Sequence, residues 1–171
     1  MHEHASQQRV EEWARTHRNT VRAFLFDMVR RADVAEDLTQ EVFCRAWEAR
    51  ESYQEQGKGL AYLLKIADHL VCKWGRRRKP VVNLDHEGWK CHEPATPALT
   101  PPETAATAEQ VALLAQAMEC LSPIQQRVLL LRYHGQLSFA EIAEITENPL
   151  STTLSHCRRG LEALRKLLGP D

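Results

Sequence analysis

The sequence predicts an all-α protein: two small helical domains joined by an extended Pro-rich linker, the C-terminal one containing a helix-turn-helix. Three observations predict it. Apolar residues recur at intervals of three and four through most of residues 8–78 and 103–168, which is the period of a helix face. Residues 80–102 show no such period and hold five of the eight prolines. Residues 138–168 read as a short helix, a tight turn and a longer helix. The domains are therefore expected at 1–79 and 103–171, with the linker at 80–102.

Each element has its own warrant. The first helix is expected over 8–31, with Val10, Trp13, His17, Val21, Phe24, Leu25 and Met28 on one face and Arg30-Arg31 at its dipole-favoured end. Asp33, with Glu36 three residues on, reads as the cap of a helix over 34–51. That helix turns Leu38, Val42, Phe43 and Ala46 inward and leaves Asp37, Gln40, Glu41 and Glu48 on a polar side, which composition alone reads as a solvated face. Residues 52–59 form a loop with two glycines. The helix after it, from Leu60 to about Arg78, packs Leu60, Leu63, Leu64, Ala67, Leu70, Val71 and Trp74. It ends on Arg76, Arg77, Arg78 and Lys79 before Pro80. Four adjacent cations exceed what a helix terminus needs, and a phosphate backbone would relieve their repulsion; the alternative is a solvated basic helix end.

Beyond the linker, a helix over 103–121 is expected to bury Val111, Leu114, Met118 and Leu121. Ser122-Pro123, with Gln125, is a strong helix start, and Ile124, Val128, Leu130 and Leu131 drive that helix until Gly135 stops it. Ser138 and Glu141 make a second capping box, ahead of Phe139, Ile142 and Ile145. Asn148-Pro149 breaks the chain. The final helix restarts near Ser151, with Leu154, Cys157, Leu161, Leu164 and Leu168 as its apolar stripe. Its other side carries Ser151, Thr152, Ser155, His156, Arg158 and Arg159, polar and basic groups suited to a DNA major groove. The alternative for this stretch is a plain αα-hairpin.

Composition narrows the function. Of 171 residues, 43% are hydrophobic, enough for a packed core, and the net charge of −1 means that any nucleic-acid contact must come from local basic patches. No apolar run approaches the ~18 residues of a membrane helix, and residues 1–13 lack a signal-peptide core, so a cytoplasmic protein is expected. Five cysteines, an odd number, read as small hydrophobes in a reducing compartment, three of them on apolar helix faces. His86, Cys91 and His92 match no strong zinc spacing and lack a fourth ligand. No phosphate loop, nucleophile elbow, HExxH or paired CxxC is present, so neither catalytic residues, metal nor cofactor is assigned, and an enzyme is not expected.

The segments at residues 33–47 (DVAEDLTQEVFCRAW), 59–79, 121–145 and 149–168 together resemble bacterial extracytoplasmic-function (ECF) sigma factors, the sigma-70 group with regions 2 and 4 only. The resemblance implies a polymerase-binding, promoter-opening protein. Asp37, Gln40, Glu41 and Trp47 would then meet the β′ clamp helices of core RNA polymerase, and the second domain would meet the β flap. Promoter DNA near the −10 element would meet Tyr53, Gln54, Lys58, Tyr62, His69, Lys73, Arg76, Arg77, Arg78 and Lys79. The −35 element would meet Ser151, Thr152, Ser155, His156, Arg158 and Arg159. Family members are often held inactive by an anti-sigma factor, which joins the implied partners. The chain departs from the family at Ala67-Asp68-His69, where Ala-Arg-Asn is common, at Lys73 in place of an aspartate, and at Tyr62 in place of tryptophan. Leu154 and His156 replace a lysine and an arginine, which predicts weaker, pH-dependent −35 binding. The competing reading is a stand-alone helix-turn-helix regulator; a helical scaffold without nucleic acid is a third.

Overall fold

A computed structural model describes residues 2–54, 57–78 and 105–169. Among them are seven helices and no strand. They are α1 (His2–Val29), α2 (Ala32–Glu48), α3 (Gly59–Arg78), α4 (Ala105–Glu119), α5 (Pro123–Tyr133), α6 (Phe139–Thr146) and α7 (Leu150–Leu168). The expected linker at 80–102, with His86, Cys91 and His92, lies outside the described residues, as do Lys79 and the side chain of Arg78.

α1, α2 and α3 pack on one another. Val21, Phe24 and Leu25 of α1 meet Ala35, Val42 and Ala46 of α2 and Leu63, Leu64 and Ala67 of α3, all buried. The predicted inward faces hold here, with Met28, Leu38 and Phe43 half-buried at the margin. The α1–α2 junction differs from expectation. Arg30 adopts a left-handed backbone (φ 54°) and ends α1, so Arg31, not Asp33, stands at the cap of α2. Arg30 and Arg31 therefore do not form the last turn of α1. Asp33 falls in the first turn of α2 and pairs with Arg31, while Glu36 turns to Arg18 and Arg22.

In the second half both predicted capping boxes form. Ser122 and Gln125 start α5, and Ser138 and Glu141 start α6. The backbone and side-chain donors of Ser138, with Lys58 nearby, hold the Glu141 carboxyl below its ordinary value. Gln126 donates to the carbonyls of Met118 and Leu121, tying the end of α4 to α5. Gly135 serves close packing and not a left-handed stop: a Cβ there would sit 2.5 Å from Leu64 and 2.7 Å from the Leu131 carbonyl oxygen. The positive φ falls on Gln136 instead.

Two predicted faces are corrected. Val111 and Leu114 of α4 are 59% and 45% exposed, leaving Ala117, Met118 and Leu121 to make the contact. On α7 the buried positions are Thr153, Cys157 and Gly160, while Leu154, Leu161 and Leu168 face outward. Small residues win this face because α5 comes close: a Cβ on Gly160 would lie 3.0 Å from Leu129. Of the cysteines described, only Cys157 is buried; Cys72 is half-buried, and Cys44 and Cys120 are exposed.

The two halves touch. α1 packs on α5, and α3 on α6.

Candidate nucleic-acid interface

The polar side of α2 is presented outward. Asp37, Gln40 and Glu41 are exposed, because Ala35, Thr39, Val42 and Ala46 take the buried side of the same helix. Glu41 accepts from Arg45 at 2.7 Å, one turn on, whereas Asp37 has no ion-pair partner among the described residues. Trp47 lies at the end of this face, 38% exposed, with the Arg50 guanidinium 4.6 Å from its ring centre. An acidic rim with one aromatic anchor suits a basic helical partner.

The loop after α2 is held by aromatic packing. Tyr53 meets Trp13 edge-on at 5.0 Å and Tyr62 at 4.7 Å, and the Arg9 guanidinium lies 5.1 Å from the Tyr53 ring. Burial raises the Tyr62 hydroxyl above its ordinary value. Beside this cluster opens a cavity of about 520 Å³, whose lining includes Arg9, Trp13, His17, Lys58, Gly59 and Glu141. Lys58 thus lines a cavity, Gln54 is exposed, and Tyr53 and Tyr62 stand in the aromatic wall behind it. Burial holds the His17 imidazole below its ordinary value despite nearby Glu12.

Along α3, His69, Lys73, Arg76 and Arg77 are exposed. Arg76 donates only to the Cys72 carbonyl, at 3.3 Å, and no carboxylate neutralises Arg76 or Arg77 among the described residues. This end of the helix is a free cationic track.

On α7, Ser151, Arg158 and Arg159 are exposed and Thr152, Ser155 and His156 half-buried. Arg158 lies 4.0 Å from Glu162, a loose pairing that leaves its charge available. Burial, and then the neighbouring Arg159 charge, hold the His156 imidazole below its ordinary value, so it is neutral at pH 7. α6 and α7 are joined by Glu147 in the left-handed region (φ 55°) and by Pro149 at the helix cap, a tight turn of helix-turn-helix type.

Sequence reasoning missed a set of pairs linking the halves. Arg127 of α5 donates to both carboxylate oxygens of Asp68 of α3, at 2.7 and 2.5 Å. The Asp68 side chain is only 3% exposed and that of Arg127 17%. Burial opposes the Arg127 charge, but the Asp68 bonds outweigh it and hold the guanidinium above its ordinary value. Arg30 meets Glu119 at 3.0 Å, His134 meets Asp27 at 2.7 Å and Lys58 approaches Glu141 at 3.6 Å. The only hint in the sequence was the unusual aspartate at position 68.

Comparison with known proteins agrees with this layout. Sigma-70 region 2 matches residues 13–81, and Sigma-70, region 4 matches residues 117–166. The ECF RNA polymerase sigma factor SigW of Bacillus subtilis is 33% identical over 140 residues, covering 78% of this chain and 75% of the relative. SigX of the same organism is 28% identical over 153 residues, covering 88% of this chain and 79% of the relative. The fold is similar to that of RpoE from Bartonella quintana, solved with the anti-sigma factor NepR: TM-score 0.70, 21% identity, 92% of this chain and 95% of that one. It is also similar to CnrH, solved with the cytosolic domain of CnrY: TM-score 0.67, 16% identity, 95% of this chain and 88% of that one. The chain belongs to the sigma-70 family and is an ECF RNA polymerase sigma factor.

Proposed function

We propose that this sigma factor docks on core RNA polymerase through the outward face of α2 and brings two separate DNA contacts to one promoter. The observation that carries this reading is the polar face of Asp37, Gln40 and Glu41 on the same domain as the un-neutralised Arg76 and Arg77. A stand-alone DNA-binding regulator needs neither. The units are 1–79, the linker 80–102, and 103–171. Asp37, Gln40, Glu41 and Trp47 meet the β′ clamp helices. The exposed Val111, Leu113 and Leu114 of α4, with the outer leucines of α7, take the β flap.

At the −10 element, Lys58 and Gln54 receive unstacked bases near the Tyr53–Tyr62 wall, and His69, Lys73, Arg76 and Arg77, continued by Arg78 and Lys79, hold phosphates. Melting is driven by capture of bases that stack on aromatic side chains, each worth about 1–3 kcal/mol. At the −35 element, Ser151, Thr152, Ser155, His156, Arg158 and Arg159 meet the major groove. No step requires a catalytic group, and the protein works in the cytoplasm with polymerase. An anti-sigma factor is a further expected partner, as RpoE and CnrH were each solved with a second protein.

The test is co-purification with core polymerase, followed by run-off transcription and sequencing of start sites. Asp37→Ala/Glu41→Ala is expected to weaken polymerase binding while circular dichroism stays unchanged. Absence of any polymerase association would sink the reading in favour of the regulator.

A further inference from the structure

We infer that Arg9, near the start of α1, is a positioning residue for −10 recognition: it holds the loop after α2 in the shape that receives unstacked bases, without touching DNA itself. The inference rests on the reading that brings those bases to Gln54 and Lys58, and it names what keeps their loop in place.

Three contacts converge on this one side chain. Arg9 Nη2 donates to the carbonyl oxygen of Arg50 at 2.7 Å, joining residues 41 positions apart. The guanidinium carbon lies 5.1 Å from the centre of the Tyr53 ring and 5.6 Å from that of Trp13. A hydrogen bond from a charged donor is shorter and stronger than a neutral one, and a cation within about 6 Å of an aromatic ring is drawn to its π-face. The bond fixes the backbone at Arg50, and the ring contacts fix the Tyr53 side chain against Trp13.

The loop's own backbone bonds are local. Ser52 and Tyr53 both donate back to the Ala49 carbonyl at 3.1 Å, and Arg50 donates to that of Trp47 at 3.2 Å. These bonds shape a turn but do not tie it to another helix, whereas the Arg9 bond ties it to α1. One turn further along α1, Trp13 secures the far end. A Cβ on Gly59 would lie 2.4 Å from Trp13 Nε1, so the indole lies flush on the first residue of α3. Residues four apart share one helix face. That face of α1 therefore grips the loop at Arg50 and Tyr53 through Arg9, and at Gly59 through Trp13. Gln54 and Lys58, both exposed, lie between the two grips.

Arg9 is set to support and not to read. It is half-buried, with its charge against a carbonyl and two rings. Lysine would not replace it, because a compact ammonium lacks the planar fork that can stack and donate at once. Arg9 also lies ahead of residues 13–81, which match Sigma-70 region 2, so the family match assigns it no part. Without Arg9 the loop spends less time in the receiving shape, and apparent affinity falls in proportion to that fraction.

The test uses holoenzyme assembled from core polymerase and the full chain, as wild type, Arg9→Gln, Arg9→Lys and Gln54→Ala/Lys58→Ala. The probe is a labelled non-template single strand spanning the −10 element of a promoter mapped by start-site sequencing, with a panel of single-base changes. Anisotropy is read at several salt concentrations. Both Arg9 variants are expected to bind the probe roughly tenfold more weakly and to discriminate less between bases. Their salt slope, circular dichroism and affinity for core polymerase should match the wild type. A salt slope reduced by about 0.7 unit would make Arg9 a direct phosphate contact and overturn the inference. So would lost helix, weakened polymerase binding, an Arg9→Lys protein that behaves as wild type, or Arg9 variants that bind and discriminate normally while Gln54→Ala/Lys58→Ala does not. A Gln54→Ala/Lys58→Ala protein that binds and discriminates normally would overturn the reading of the loop, and the inference with it.

Discussion

At the scale of single residues, His156 sets an expectation with a definite sign. It stands in the proposed recognition helix, where burial, and then the Arg159 charge, hold its imidazole below the ordinary value. Protonation would add a cation facing phosphate, so −35 duplex binding should strengthen as pH falls from 8 to 6. His156→Arg should tighten binding and flatten that dependence; fluorescence anisotropy with a −35 duplex checks both. Local signals at this scale were legible where one residue controls its own backbone. The serine caps at 122 and 138 formed as the spacing predicted. The Asp33 cap did not, because Arg30 takes a left-handed turn and starts the next helix at Ala32, two residues earlier than the spacing suggested. A non-glycine residue with positive φ leaves no clear mark in sequence.

Helices add a second layer. The basic end of α3 has no acidic partner described, so its charges are available to phosphate. Arg76→Ala/Arg77→Ala should lower promoter affinity evenly across sequences and reduce the salt slope by about one unit per lost contact. Titration of the holoenzyme at several salt concentrations reads the slope; a change confined to particular sequences would mean base reading instead. Periodicity placed all seven helices to within a few residues at most ends, the α1 start being the largest miss. It chose the correct faces for α1, α2 and α3, where large apolar side chains fill the core. For α7 it was right at Cys157 and Leu164 and wrong at Leu154, Leu161 and Leu168. The contact with α5 is so close that Thr153, Cys157 and Gly160 fit and leucines do not. A hydrophobic stripe marks the buried face only when the gap is wide enough for large side chains. The outward leucines were therefore assigned to the core when they lie on a surface open to a partner.

For the whole molecule, the arrangement of the halves was invisible in sequence. Asp68 and Arg127 are 59 positions apart, and no local pattern links them. Their pairing depends on how α3 and α5 meet, which neither helix encodes alone. The pattern of prolines and periodicity led instead to an expected division at 1–79 and 103–171, with the segment 80–102 between them. That length has a consequence. Deleting residues 86–98 shortens the reach of the segment between the halves from about 85–95 Å to about 45 Å. The shortened protein should keep its α2 contact with polymerase but lose run-off transcription from promoters that depend on both elements. Equal transcription from the shortened and full chains would show that the domains need not separate so far.

The aromatic wall beside the loop after α2 has one more property. Trp13 is largely shielded from solvent and touches both Tyr53, at 5.0 Å, and Tyr62, at 5.9 Å. At such separations excitation of either tyrosine passes to the indole. Only a displacement of the Tyr53 ring well away from Trp13 would lower that transfer and raise tyrosine emission. The aromatic cluster can therefore report a large opening of the 52–58 loop by stopped-flow fluorescence, without any added dye.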